Sequence, residues 1–218
     1  MSRPKYDTRE KLQNYIDEFL RTNPTHNTYI HLGDMGITSL KGIKFPESMT
    51  YLPLSHNQIT SLEGIAFPPN LSVLQVPMNK ITSLDGIVFP SKLTDLQLQQ
   101  NQITSLDGIV FPPGLVSLDL SNNKITSFAG MQFPLSLFSL KLAGNQIDVR
   151  TVSELKNPSP FVIREIVAAF PETGPHFQRM EEQKEKIVDR LLEMVHDLYK
   201  HKGGRKNKTL RKQSRKIM

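Results

Sequence analysis

The sequence predicts an α+β repeat solenoid, with short parallel strands stacked coil on coil and helical caps at both ends. Three observations carry this. One period of 22 residues runs through the middle of the chain. Within each period leucines alternate with polar residues over a short stretch, as in a strand with one buried face. Amphipathic segments without the period flank it on both sides.

The period is visible in several columns of one register. Asn57, Asn79, Asn101, Asn123 and Asn145 share it, as do Ile37, Ile59, Ile81, Ile103, Ile125 and Ile147. So do the Phe-Pro pairs that start at Phe45, Phe67, Phe89, Phe111 and Phe133, and the glycines Gly42, Gly64, Gly86, Gly108 and Gly130. A fixed period of this length marks stacked supersecondary units, each of which buries its apolar face only against its neighbours. The segments Leu52–Leu54, Leu74–Val76, Leu96–Leu98, Leu118–Leu120 and Leu140–Leu142 are expected as parallel strands, with Ile30–Leu32 as a sixth at the N-terminal end. The Asn column turns the chain after each strand, and its amides can satisfy backbone groups of adjacent coils as a buried ladder. Each Phe is expected to stack on the next, and each following Pro to stiffen an extended return segment that needs no donor. Pro53 and Pro77 remove ladder donors, which predicts irregularity in the second and third coils. The first coil departs from the pattern, with Asn27 where Leu is expected and Met35 where Asn is expected, as befits a half-exposed terminal repeat.

The unit reads L-x-x-L-x-L-x-x-N-x-I-T-S-L-x-G-I-x-F-P, clearest from Leu115 to Pro134. Through L-x-x-L-x-L-x-x-N it resembles the leucine-rich-repeat family, and the spacing of the following Ile and Leu resembles the 22-residue class of bacterial internalins. The resemblance covers about Asn27 to Asp148. It implies a curved right-handed coil with the strands on its concave face, and a protein that binds other proteins. The Phe-Pro element departs from the common pattern of that class and resembles variants from protists and from large DNA viruses of protists. The Lys/Arg-rich tail that opens with Gly203-Gly204 is similar to tails on proteins of those viruses, which would make the chain virion-associated.

The expected organisation is an N-terminal helical cap over 1–26, repeats over 27–148, a C-terminal helical region over 149–201 and a disordered basic tail over 202–218. Residues 7–22 read as an amphipathic helix with Leu12, Tyr15, Ile16, Phe19 and Leu20 on one face, capped by Asp7 with Glu10 completing a capping box. Beyond Ile147, helices are expected over Thr151–Lys156, from Ser159-Pro160 to Phe170, and from His176 to Lys200. The last would be roughly 37 Å long. In it Met180, Lys184, Ile187, Leu191, Met194 and Leu198 follow coiled-coil spacing, so intramolecular packing and self-association are both open.

The formal charge of +6 is unevenly placed: eight cations without an acid (Lys202, Arg205, Lys206, Lys208, Arg211, Lys212, Arg215 and Lys216) leave residues 1–201 at −2. The tail is an anion-binding candidate. Without aromatic residues it offers charge but no stacking platform, which favours non-specific contact with nucleic acid or another anionic surface; a nuclear import signal or an inert extension fits equally. There is no cysteine, so disulfides, thiolate metal sites and cysteine nucleophiles are excluded. No apolar run approaches the roughly 20 residues of a membrane span, and the polar N-terminus lacks a signal-peptide core. The expected location is intracellular, cytoplasmic or nuclear. No catalytic motif, metal-ligand spacing or phosphate loop is recognisable, so neither enzyme activity, cofactor nor metal is expected.

The candidate site is the concave strand face. Its outward positions form columns, one with Tyr29, Tyr51, Val73, Asp95, Ser117 and Ser139, the next with His31, Pro53, Gln75, Gln97, Asp119 and Lys141. Ser55, Pro77, Gln99 and Ser121 follow the strands, then Asp34, His56, Met78, Gln100 and Asn122. Aromatic residues and Met gather in the N-terminal half, either as contact anchors or as sheet-surface residues covered by the N-terminal helix. Six strands about 4.8 Å apart give a face only about 24 Å wide. Its area of a few hundred Å² falls short of the roughly 800 Å² per partner of a standard interface. The face alone therefore suits a peptide or a weak contact, and a stable complex would also recruit a flank.

Overall fold

In the computed structural model, residues 6–24, 28–127 and 131–148 are described. The helices expected beyond Ile147 and the basic tail lie outside the described residues. One helix, α1 (Arg9–Thr22), precedes five three-residue strands: β1 (Tyr51–Pro53), β2 (Val73–Gln75), β3 (Asp95–Gln97), β4 (Ser117–Asp119) and β5 (Ser139–Lys141). They form one parallel sheet in sequence order, and every pair is in register at 22 residues, as in Leu52 opposite Leu74 and Leu96 opposite Leu118. The fold is a parallel-strand solenoid. The paired residues begin one position before the expected leucine-to-leucine segments. The trailing leucines still contribute, with Leu54 N–H donating to the Gln75 carbonyl at 2.7 Å and Leu98 N–H to that of Asp119 at 2.8 Å.

The expected sixth strand at Ile30–Leu32 is reduced to a single bridge between Tyr29 and Tyr51. Pro53 stands opposite His31 in the 22-residue register and has no N–H to give the first coil, so the ladder cannot continue there. Bonds on either side of that point remain, from Thr50 and Tyr51 N–H to the Thr28 carbonyl at 3.0 and 3.3 Å, and from Leu32 N–H to the Pro53 carbonyl at 3.3 Å and Asp34 N–H to that of Ser55 at 3.0 Å. Pro77 causes no such break. It follows β2, and its carbonyl accepts from His56 N–H at 3.1 Å.

The inward leucines and isoleucines form one continuous core from Leu12 to Leu142. The Asn column lies beneath the strand ends. Asn57, Asn79, Asn101 and Asn123 are buried, and each amide links two coils. Asn79 Nδ2 donates to the Leu54 carbonyl at 2.9 Å and to its own coil's Val76 at 3.2 Å, while its Oδ1 accepts from Ile59 N–H at 3.0 Å. Asn57 Oδ1 serves both Met35 and Ile37 of the first coil, at 3.1 and 3.0 Å, which compensates for the missing Asn at position 35.

Two turns per coil bring the chain back. In the first, the serine of T-S-L accepts from the backbone two residues on, as Ser83 Oγ does from Asp85 N–H at 2.9 Å and Ser105 Oγ from Asp107 N–H at 3.0 Å. The glycine that follows has positive φ. A Cβ on Gly108, at φ 71, would meet nothing within 4 Å, so Gly108→Ala isolates backbone strain and is expected to cost about 1 kcal/mol. Gly144→Ala should cost more, because its Cβ would also lie 3.2 Å from Asn122 Cα. Urea melts of the two variants check this ordering. The second turn begins at the Pro of Phe-Pro, whose carbonyl accepts from the leucine three residues on, as that of Pro112 does from Leu115 N–H at 3.0 Å. The Pro therefore opens a turn rather than stiffening an extended return. The ring stack is also shorter than expected. Phe89, Phe111 and Phe133 stack at 6.1 Å per step, whereas Phe45 and Phe67 pack half-buried against the core.

Helix α1 closes the N-terminal end. Leu12 and Ile16 are buried, and Tyr15, Phe19 and Leu20 pack against the core, as the amphipathic pattern requires. The N-cap is Thr8, not Asp7. Thr8 is the extended residue, and its hydroxyl accepts from Lys11 N–H at 3.3 Å. Asp7 instead pairs with Lys11 Nζ at 2.9 Å. With Lys11 in the third helical position, Glu10 completes no capping box. Gln13 ties the helix to the first coil: its Oε1 accepts from Lys44 N–H at 2.8 Å and its Nε2 donates to the Lys44 carbonyl at 3.2 Å. This supplies the terminal coil with backbone partners that an inner coil finds on its neighbour.

Candidate functional site

The parallel strands turn every second side chain to the outside, so residues 22 apart stand side by side on the strand face. The first column brings Tyr29 and Tyr51 together as a flat stack, with centroids 5.2 Å apart and planes 8° apart. Helix α1 is tied to the return segment of the first coil through Gln13 and leaves Tyr29 40% exposed. Val73 and Asp95 continue the column and are half-buried.

The second column is polar. The Tyr51 hydroxyl donates to Gln75 Oε1, and Gln97 Nε2 donates to Asp95 Oδ1 at 3.1 Å. Burial, then the neighbouring Tyr29, then the Asp95 carboxylate push the Tyr51 phenol above its ordinary pKa, which keeps it a neutral donor. Asp119 is only 8% exposed. It is held by Ser121, whose N–H and hydroxyl donate to Oδ1 at 3.0 and 2.6 Å, and by Lys141 Nζ, 3.3 Å from Oδ2. These two residues form an internal pair at the C-terminal end of the face and are less available to a partner than their columns suggest. His31 is exposed, and its ring lies against Gly33, where a Cβ would come within 3.1 Å of His31 Cε1. Gln99 is half-buried, and its buried Oε1 has no hydrogen-bond partner among the described residues.

His56, Met78 and Gln100 do not lie in the two strand columns. With Asp34 and Asn122 they occupy the corner before the Asn ladder, each with φ between 54 and 59°. Gly144 takes the same place at φ 75°. A left-handed conformation costs a side-chain-bearing residue about 1–2 kcal/mol, so this corner is fixed by the ladder rather than by local preference. It lifts Met78 outward, 41% exposed, beside the strand face. The strand columns also missed an apolar feature elsewhere: Val88 and Val110, equivalent residues in successive return turns, are 82% and 83% exposed. Their signal was available as Val in the otherwise variable place between Ile and Phe.

Among the described residues no cluster of three or more His, Asp or Glu side chains could hold a metal ion, and no helix is long and apolar enough to cross a membrane. The tail cations Lys202 to Lys216 lie outside the described residues.

A family model described as leucine rich repeat matches residues 91–147. The leucine-rich-repeat domain of a Shigella effector is 26% identical and superposes with a TM-score of 0.51, covering 64% of this chain and 58% of that one. YopM of Yersinia enterocolitica is 21% identical over 58% of this chain and 30% of its own, with a TM-score of 0.37. An internalin of Listeria monocytogenes is 20% identical over 73% and 54%, with a TM-score of 0.40. The match therefore spans less than two thirds of each of these neighbours. No curated protein sequence matches the chain. Together with the 22-residue register, the family match and the effector domain give the fold as a leucine-rich-repeat solenoid.

Proposed function

We propose that this chain is a non-enzymatic protein-interaction module that holds an extended segment of its partner across the strand face. The observation that carries this reading is the N-terminal half of the face, where Tyr29, stacked on the half-buried Tyr51, and Met78 stand exposed beside a row of half-buried glutamine amides. Aromatic and Met side chains supply contact area, and glutamines supply both donors and acceptors to a peptide backbone. The area argument favours a segment over a globular surface, with a flank added where the complex is stable.

The test is capture from an extract of the native cell by the intact chain and by a Tyr29→Ala, Met78→Ala double variant. Both side chains are about 40% exposed, so the variant should fold, and its circular dichroism melt should match the parent. Truncating two contact anchors should weaken a retained partner at least tenfold, because anchors of this kind contribute about 2 kcal/mol or more each. Equal capture by both proteins would move the site off this face.

A further inference from the structure

We propose that the chain's own basic segment, residues 202–218, seats on the strand face, with one Lys or Arg over the Tyr29–Tyr51 stack and another at the Asp95 carboxylate, two coils further along the same column. The inference rests on the strand-face reading above and names an occupant for it.

The face lacks what the segment has. From Tyr6 to Asp148 the chain carries twelve carboxylates against nine Lys and Arg, whereas 202–218 carries eight cations and no acid. On the face itself Lys141 is taken by Asp119, so its charge is internally compensated. Asp95 is not compensated. Among the described residues its side chain has the neutral Gln97 amide as its hydrogen-bond partner, and no cation is paired with it. It is half-buried, where a charge is screened less than in the open turns that carry Glu63, Asp85 and Asp107. Two coils away along the column, the Tyr29–Tyr51 stack, with Tyr29 exposed, attracts a second cation of the segment through the ring quadrupole.

The dimensions agree. A face of about 24 Å takes about seven extended residues at roughly 3.4 Å each. The stretch Arg205–Arg211 has that length and brings Arg205, Lys206, Lys208 and Arg211. The 53 residues from 149 to 201 separate the segment from the last described coil. Even as a random coil such a length spans roughly 40 Å, so the face is within reach and the local concentration of the segment is high. A partner would then have to displace the segment, and the cations would become available to other ligands only when it does.

Zero-length carbodiimide crosslinking of the full chain at low protein concentration tests this, because it joins a carboxylate to a lysine amine only on contact. Asp95 should be joined to Lys202, Lys206, Lys208, Lys212 or Lys216 in at least fivefold higher yield than the more exposed Glu63, Asp85 and Asp107. The excess should vanish in 0.5 M salt. In Tyr29→Ala, which keeps every carboxylate and lysine, it should fall about fivefold. Equal yields at Asp95 and at the turn carboxylates, or an excess unaffected by Tyr29→Ala, would overturn the proposal. Capture of a partner that depends on Tyr29 and Met78, with no such crosslinks, would sink this proposal and leave the interaction reading standing.

Discussion

Phe111→Ala is expected to destabilise the protein by about 3–5 kcal/mol, the cost of removing a buried aromatic side chain and leaving a cavity. Phe111 is 6% exposed and belongs to the continuous core. Its ring has a neighbour on each side, Phe89 and Phe133, both at 6.1 Å with planes within 17°. Removal thus takes away a core residue and both steps of the stack, which together add about 1–3 kcal/mol within that total. Phe45 holds the equivalent place in the first coil but is half-buried and stacks on no ring among the described residues. Phe45→Ala should cost about half as much. Urea unfolding with an unchanged slope measures both. Equal losses would mean that stability does not depend on how many neighbours a coil has, which contradicts a linear solenoid.

Asn101→Ala should cost about 3 kcal/mol, although the side chain faces no partner surface. Its Nδ2 donates to the Val76 carbonyl at 2.9 Å and to Leu98 at 3.0 Å, and its Oδ1 accepts from Ile81 N–H at 3.0 Å. All three bonds are buried. Alanine leaves those groups without partners where water does not reach them, and each such group costs about 1–3 kcal/mol when stranded. Asn145 makes the same pattern, with Leu120 and Leu142 at 2.9 and 2.8 Å and Ile125 at 3.0 Å, but its bonds are only partly buried. Water can replace that amide, so Asn145→Ala should cost about 1 kcal/mol. A thermal melt of Asn101→Ala that matches the parent would argue against the ladder as a source of stability, and with it against the backbone strain carried by the residues before it.

The chain's own pattern determined the solenoid, its period, the inward leucines and the Asn ladder. A 22-residue repeat of buried residues can close its core only by stacking, and an amide repeated beneath a strand end has backbone groups as its nearest partners. The apolar face of α1 was equally legible, because helical periodicity is local. Tertiary structure decided what depends on contacts between neighbouring coils or on competition between adjacent residues. Thr8 rather than Asp7 became the N-cap because its extended backbone put its hydroxyl in reach of Lys11 N–H. The first coil lost its strand because Pro53 fell opposite it: the missing donor was legible in the sequence, but which coil would lose its strand depended on the pairing of neighbouring coils. Only three of five Phe residues stacked, since ring contact depends on the offset between coils and not on the period. The candidate site divides along the same line. The columns named the outward residues, but their exposure was decided in three dimensions: Asp119 is consumed by Ser121 and Lys141, Met78 stands 41% exposed at a left-handed corner, and Tyr29 is left 40% exposed.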